Sequence, residues 1–408
     1  MKKLLLLVLA AALLLGACAS AAAGYDGKLV KQTIEPLDDV FVRGIGDFGF
    51  SAASALYTTD ENLALSPVSI ELALCLARAG ANGATKDEMS AALRLPGLSD
   101  DEIAAACKAL MWRANTGGME AANALWLLDG YDYKDDYIKT GTEDYMADLK
   151  SLAIPGAMDD INTWADEKTH GRISQILQQE PGADTRLIIT NALYYLGEWE
   201  LPFAAYRTFD GDFATPNGSA AAAYMKSEWH VPYYANAEFS MITLRFKSVA
   251  DEGHYAMAFL LPAQGASVAD LLSSMNGAVF QTALQSTEKQ EVWIRLPKFE
   301  FECFTPLNDT LQTMGMQKAF SPLDADFSGV TDHEELFISD VLHKCYIRVD
   351  EKGAEAAAVT VVEEPAAEAP SEDLPPQFYA DRPFLFAIYS LEDGAIAFLG
   401  AVNDPSQK

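Results

Sequence analysis

Histidine is the side chain best suited to acid–base or metal chemistry near neutral pH, and this chain has five: His170, His230, His254, His333 and His343. None stands at metal-ligand spacing from another. His333-Glu334-Glu335 starts like a zinc-protease motif but lacks the second histidine, so it reads as a loop. GIGDFG, from Gly44 to Gly49, matches the dinucleotide fingerprint GxGxxG. That motif works only inside a βαβ unit, and no parallel strand unit surrounds it here, so a turn before a first helix is the better reading. There is no GxSxG elbow and no P-loop. A hydrolase triad could be assembled only by arbitrary choice. The residues imply no enzyme, no cofactor and no metal.

Cys75, Cys107, Cys303 and Cys345 are far apart, without CxxC pairing, and each lies in an apolar pattern. They read as buried thiols rather than disulfides. Another unusual stretch runs from Asp350 to Phe378: DEKGAEAAAVTVVEEPAAEAPSEDLPPQF. Its Ala, Glu and Pro give it the composition of a linker, yet only thirty residues follow it.

The elements around these residues settle whether it is one. Ser69 can cap a helix over IELALCLARAG that Gly80 ends. Thr85 with Glu88, and Ser99 with Glu102, have the spacing of capping boxes. INTWADEKTHG places Ile161, Trp164 and Ala165 on one helical face. From about residue 186 the pattern becomes strands. RLIITNALYY is a continuous apolar run, as in a centrally buried strand. VWIRLPKFEFEC alternates, and its phase slips at Pro297, which suggests a bend or bulge. KCYIRVD alternates through Cys345, Ile347 and Val349, and PFLFAIYS and GAIAFLGAV read as a terminal hairpin. Helices first and long strands afterwards predict an α+β domain with a mainly antiparallel sheet. A lone hairpin does not fold, so the last two strands pack on the sheet before the stretch 350–378. Both ends of that stretch therefore belong to one domain.

The N-terminus, MKKLLLLVLAAALLLGAC, has the basic, apolar and small-residue order of a secretory signal. Leu15-Gly16-Ala17-Cys18 resembles the lipobox of bacterial lipoproteins, with Cys18 as the lipidated residue; plain cleavage that discards Cys18 is the alternative. The expected organisation is a signal peptide over 1–17, a lipidated cysteine and spacer over 18–35, and one domain over 36–408. Such a protein is tethered to a membrane by lipid alone, in the cell envelope or outside the cell. Its formal net charge of −30 opposes binding to nucleic acid and anionic polysaccharide. A hydrophobic content of 50% is ample for a large core, which excludes a disordered acidic protein.

Several segments in order resemble the serpins, the serine protease inhibitor superfamily. SPVSIELALCLARAGANGAT (66–85), INTWADEKTHGRI (161–173), NALYYLGEWELPF (191–203) and LPKFEFE (296–302) are four of them. GMQKAFSPLDADFSGV (315–330), HKCYIRVDEKGAEAAA (343–358), DRPFLFAI and AFLGAV complete the series. The resemblance implies the serpin fold, with about nine helices, a large sheet A, sheets B and C, and an exposed reactive-centre loop over about 351–378. It also implies a monomeric suicide substrate for a serine protease. The protease forms an acyl-enzyme, and the cut loop then enters sheet A as a strand and distorts the enzyme.

The resemblance assigns Glu351, Gly353, Ala354, Glu355, Ala356, Ala357, Ala358 and Thr360 to the hinge from which the loop enters. Written as a strand, Ala354, Ala356, Ala358, Thr360 and Val362 share one small, uncharged face, and Glu355 and Glu363 lie on the other. Fourteen residues past Gly353, the usual family spacing, is the bond Ala367–Glu368. Counting back from Pro383-Phe384 favours positions nearer Glu372. Cleavage after Ala367 implies an elastase-like partner, and cleavage after Glu368 a glutamate-specific one. Ser66, Ser69, Asn191 and His343 match the shutter beneath the centre of sheet A, and Trp199 the breach where insertion begins. Ala354 replaces the usual Thr or Ser, and Leu196 the usual Lys. Residues 99–115 carry no basic cluster, so heparin-like activation is not expected. A non-inhibitory binding protein of serpin fold, or an envelope hydrolase, are the rival readings.

Overall fold

The computed structural model describes residues 37–95, 97–195, 197–248, 254–333, 335–354 and 374–408. The front half carries α1 (Asp39–Leu56), β1 (Leu63–Leu65), α2 (Pro67–Ala79), α3 (Gly83–Ala92), α4 (Asp100–Thr116) and β2 (Met119–Leu128). It continues with α5 (Asp135–Glu143), β3 (Asp148–Leu152), α6 (Ala157–Lys168), β4 (Leu187–Tyr195) and β5 (Gly197–Glu198). Next come β6 (Phe209–Thr215), β7 (Gly218–Ala235), β8 (Phe239–Arg245), β9 (Tyr255–Pro262), α7 (Val268–Ser274) and α8 (Gly277–Gln285). The chain closes with β10 (Glu288–Pro297), β11 (Phe299–Pro306), α9 (Asn308–Thr313), β12 (Ile338–Val349), β13 (Gly353–Ala354), β14 (Gln377–Tyr379), β15 (Phe384–Ser390) and β16 (Ile396–Val402).

The described residues thus form nine helices and three sheets. One sheet has nine strands in the order β1-β16-β15-β9-β8-β7-β10-β14, with β6 on β7. A second has five, β11-β12-β4-β2-β3, and β13 pairs with β5 as a third. The α+β expectation holds, with parallel pairs at β12–β4, β2–β3 and β10–β14 among antiparallel ones.

Local chemistry explains most boundaries and corrects some expectations. Ser99 and Glu102 do form a capping box on α4. The helix over 67–79 starts one turn earlier than expected: Ser66 is the cap, accepting from the Ser69 amide, with Pro67 in the first turn. α3 begins at Gly83, so Thr85 lies inside it, and Glu88 instead accepts from the amides of Gln317 and Lys318. GIGDFG lies within α1, not in a turn before it. Its glycines allow close packing: a Cβ on Gly46 would lie 2.6 Å from Cα of Gly277. The phase slip at Pro297 is no bulge. β10 ends there in the nine-stranded sheet, and β11 starts at Phe299 in the five-stranded one. β2 and β3 place strands in a half expected to be mostly helical.

Candidate functional site

β12 and β4 lie side by side in the middle of the five-stranded sheet, in register from Ile338 opposite Leu187 to Tyr346 opposite Tyr194. Much of this seam is apolar, and within it stands a buried polar pair, His343 opposite Asn191. The Ser66 amide donates to His343 Nε2 at 3.0 Å, so the ring proton sits on Nδ1 and is donated to Asn191 Oδ1 at 2.6 Å. The Asn191 amide nitrogen donates to the carbonyl of Ser69 at 3.0 Å, and also to Ser69 Oγ and Asn123 Oδ1. Ser66 Oγ donates to the carbonyl of Ala397 at 2.6 Å and accepts from the Ser69 amide. Five elements, α2, β2, β4, β12 and β16, are therefore joined by one buried polar network. Burial drives the His343 pKa down to about 3, so the imidazole is neutral at physiological pH and can hold both roles at once. Such a network fastens the seam while remaining separable, because every link is a hydrogen bond.

Beyond Tyr346 and Tyr194 the two strands part, and the chain leaving β12 folds into the gap. The Asp350 amide donates to the carbonyl of Gly353, and the Lys352 amide to Asp350 Oδ1 at 2.8 Å, closing a tight turn. Gly353 and Ala354 then run back antiparallel to β5, with Gly353 opposite Glu198 and Ala354 opposite Gly197. Because β5 continues the line of β4, the next residues of the loop would run down along β4 itself. Trp199 pins the turn: its indole donates to the Asp350 carbonyl at 2.9 Å and its amide to the Lys352 carbonyl at 2.7 Å. Phe246 stacks on the indole at 4.6 Å between centroids. Glu351 accepts from Thr208 Oγ1 at 2.7 Å and pairs with Lys298 at 2.9 Å. Burial pushes the Glu351 carboxyl up, but hydrogen bonds from Lys298 and Thr208 outweigh it and hold the carboxyl below its ordinary range.

Gly353 has φ +154°, and a Cβ there would strike the Gly197 carbonyl and lie 2.7 Å from Cα of Glu198. Only glycine fits. Gly353 and Ala354 are thus held beside β5, at one end of the closed seam.

The comparisons with known proteins agree with this geometry. The family model described as Serpin (serine protease inhibitor) matches residues 43–405. The chain belongs to the serpin family. An uncharacterized serpin-like protein of Thermococcus kodakarensis is 34% identical over 89% of this serpin and 85% of its own length. Intracellular coagulation inhibitor 2 of Tachypleus tridentatus is 29% identical over 88% of this serpin and 90% of its own length. Among solved structures, the thermophilic serpin tengpin in its native state superposes with a TM-score of 0.83 and 28% identity, covering 92% of this serpin and 97% of tengpin.

The residues assigned to the shutter, Ser66, Ser69, Asn191 and His343, meet in one cluster, and Trp199 holds the turn at Asp350 and Lys352 that carries Glu351, Gly353 and Ala354. Glu355, Ala356, Ala357, Ala358, Thr360, the bond Ala367–Glu368 and Cys18 lie outside the described residues of this serpin. The signal peptide and the whole of the spacer do as well. Asn123 was missed as a member of the seam network; its signal was a lone amide in the apolar run AANALWLL. Thr208, just before β6, and Lys298, between β10 and β11, are partners of Glu351 from distant parts of the chain and carry no local signal.

Proposed function

We propose that this serpin inhibits an extracellular serine protease as a suicide substrate, with its loop entering the five-stranded sheet between β12 and β4. The observation that carries the reading is the position of Gly353 and Ala354. They already lie antiparallel beside β5, in line with the seam, so insertion would extend a pairing that exists. A strand entering there runs antiparallel to both neighbours, which are parallel to each other. The family description as serine protease inhibitors supports the same reading. We assign the cut to Ala367–Glu368 and the partner to elastase-like proteases with a small primary pocket. The protein acts as a monomer tethered to the cell envelope through lipid on Cys18, and needs neither heparin nor nucleic acid.

Mixing the protein with pancreatic elastase tests this directly. A complex that survives a denaturing gel is expected, together with a released C-terminal peptide whose mass begins it at Glu368. Cleavage without a complex would overturn inhibition and leave the non-inhibitory binding protein standing. Cys18→Ala should release the protein from the membrane fraction, and retention there would overturn the anchor.

A further inference from the structure

Two of the four thiols face each other across the outer edge of the five-stranded sheet. Cys303 on β11 stands directly opposite Cys345 on β12 in the antiparallel register. Directly opposed residues share a face of the sheet, with Cα atoms about 4.5–5.5 Å apart. A disulfide needs Cα atoms roughly 4.4–6.8 Å apart. Both cysteines are free, and their sulfurs now have weak partners: Cys303 Sγ lies 3.6 Å from Thr305 Oγ1, and Cys345 Sγ donates to the Ala64 carbonyl at 3.3 Å. Rotation of each side chain away from such a contact loses little. We propose that Cys303 and Cys345 form a reversible dithiol–disulfide pair that staples β12 to β11.

The two thiols differ in access, which sets the order of events. Cys345 is fully buried, whereas Cys303 is half-buried on an edge strand, paired among the described residues with β12 on one side of the sheet. The oxidant is a small disulfide. The Cys303 thiolate attacks one of its sulfurs, forming a mixed disulfide and releasing one thiol. The Cys345 sulfur then attacks the Cys303 sulfur, its proton leaves with the second thiol released, and the protein disulfide is complete. Two protein thiols are oxidised and one small disulfide is reduced to two thiols. Burial pushes the Cys345 thiol up, so the second step is the slower one.

The bridge is expected to be reducible. Opposed Cβ atoms in a sheet sit about 4.5–5.5 Å apart, while a disulfide draws them to about 3.5–4.5 Å, so closure pulls the strands together and strains the link. Its position gives it a consequence. β12 lies between the bridge on one side and the β4 seam on the other, so oxidation fixes the outer ribbon β11–β12 as one body.

The test uses the intact folded protein in buffers of oxidised and reduced glutathione. Peptide mapping should find Cys303 linked to Cys345 in the oxidised sample and both thiols free after reduction. The melting midpoint should be several degrees higher when oxidised, fall back with dithiothreitol, and stay constant in Cys303→Ser. Melting of Cys303→Ser alone checks that this variant folds, and Cys345→Ala serves as a second bridge-free variant. No bridge without denaturant, or a bridge between Cys75 and Cys107 instead, overturns the pairing. A bridge that leaves the midpoint unmoved overturns the staple. Loss of protease inhibition in both redox states leaves these readouts intact, so failure of the proposed function is told apart from failure here.

Discussion

Two buried ionisable residues set opposite pH limits on this protein. His343 is neutral in the folded state because burial lowers its pKa to about 3, against about 6.5 when unfolded. A depressed folded pKa means that stability is complete above about pH 6.5 and is lost as pH falls toward 3, at up to about 1.4 kcal/mol per pH unit. In His343→Gln that acidic slope should vanish, at some cost in stability near neutrality, and urea midpoints from pH 7 to pH 4 measure it. Glu71 works the other way. It is fully buried on α2, neither carboxylate oxygen has a partner among the described residues, and burial followed by the nearby Cys75 pushes its pKa well above the ordinary value. A raised folded pKa gives stability that is complete below the unfolded value near 4.5 and is lost as pH rises from there. Glu71→Met should therefore raise stability by about 1–3 kcal/mol at pH 8 and by less at pH 4. An equal gain at both pH values would show that packing, not charge, is at stake. Gly353→Ala belongs at this scale too. Its Cβ meets the Gly197 carbonyl, so β13 should detach, with a loss of about 1–3 kcal/mol and fewer stable complexes per cleavage.

Elements with a strong pattern were legible in the sequence, and those governed by distant contacts were not. The buried run of β4, the alternation of β12 and the terminal hairpin read correctly because each strand's own side chains meet the core. β2 was missed because AANALWLL is apolar without clear alternation, its two faces packing on helices to one side and on Trp164 and its neighbours to the other. The GxGxxG match misled because glycine serves packing in α1 as readily as it serves a phosphate turn. The seam and hinge clusters were legible only through the family resemblance; no local rule brings residue 66 to residue 343. β14 shows how a weak element is held by such contacts. It has three residues, paired on one side with β10. The Arg295 guanidinium lies 4.4 Å from the Tyr379 ring centroid and 5.2 Å from that of Phe209. These cation–π contacts contribute about 1–2 kcal/mol. Arg295→Leu should speed hydrogen exchange at Phe378 and Tyr379 while leaving β15 protected, and unchanged exchange would show that backbone pairing alone holds the strand.

At the scale of the whole molecule, the native sheet is one strand short of what this chain could build. The β12–β4 seam is a single parallel ladder of eight registered pairs. A cut loop entering there removes that ladder and forms two antiparallel ones, each slightly stronger per residue than a parallel ladder. A strand of about fourteen residues spans roughly 45 Å, and at about 1 kcal/mol net per hydrogen bond the gain is on the order of ten kcal/mol. The cost is the polar network at His343 and Asn191, whose hydrogen bonds must part or be remade around the new strand. That cost amounts to a few kcal/mol, so the proposed insertion is expected to be favourable. Nothing releases the gain while the loop is intact, because its far end is held through β14 in the other sheet. Cleavage frees that end. The melting midpoint should therefore rise by upwards of about 10 °C after the loop is cut by a protease in trace amount. A bulky, charged substitution on the face that must slide inside, such as Ala356→Arg, should slow entry, so that cleavage continues but the midpoint rises less and stable complexes give way to simple turnover. A wild-type midpoint that stays put after cleavage would mean that the seam does not open, and that this serpin fold has kept the loop without its use.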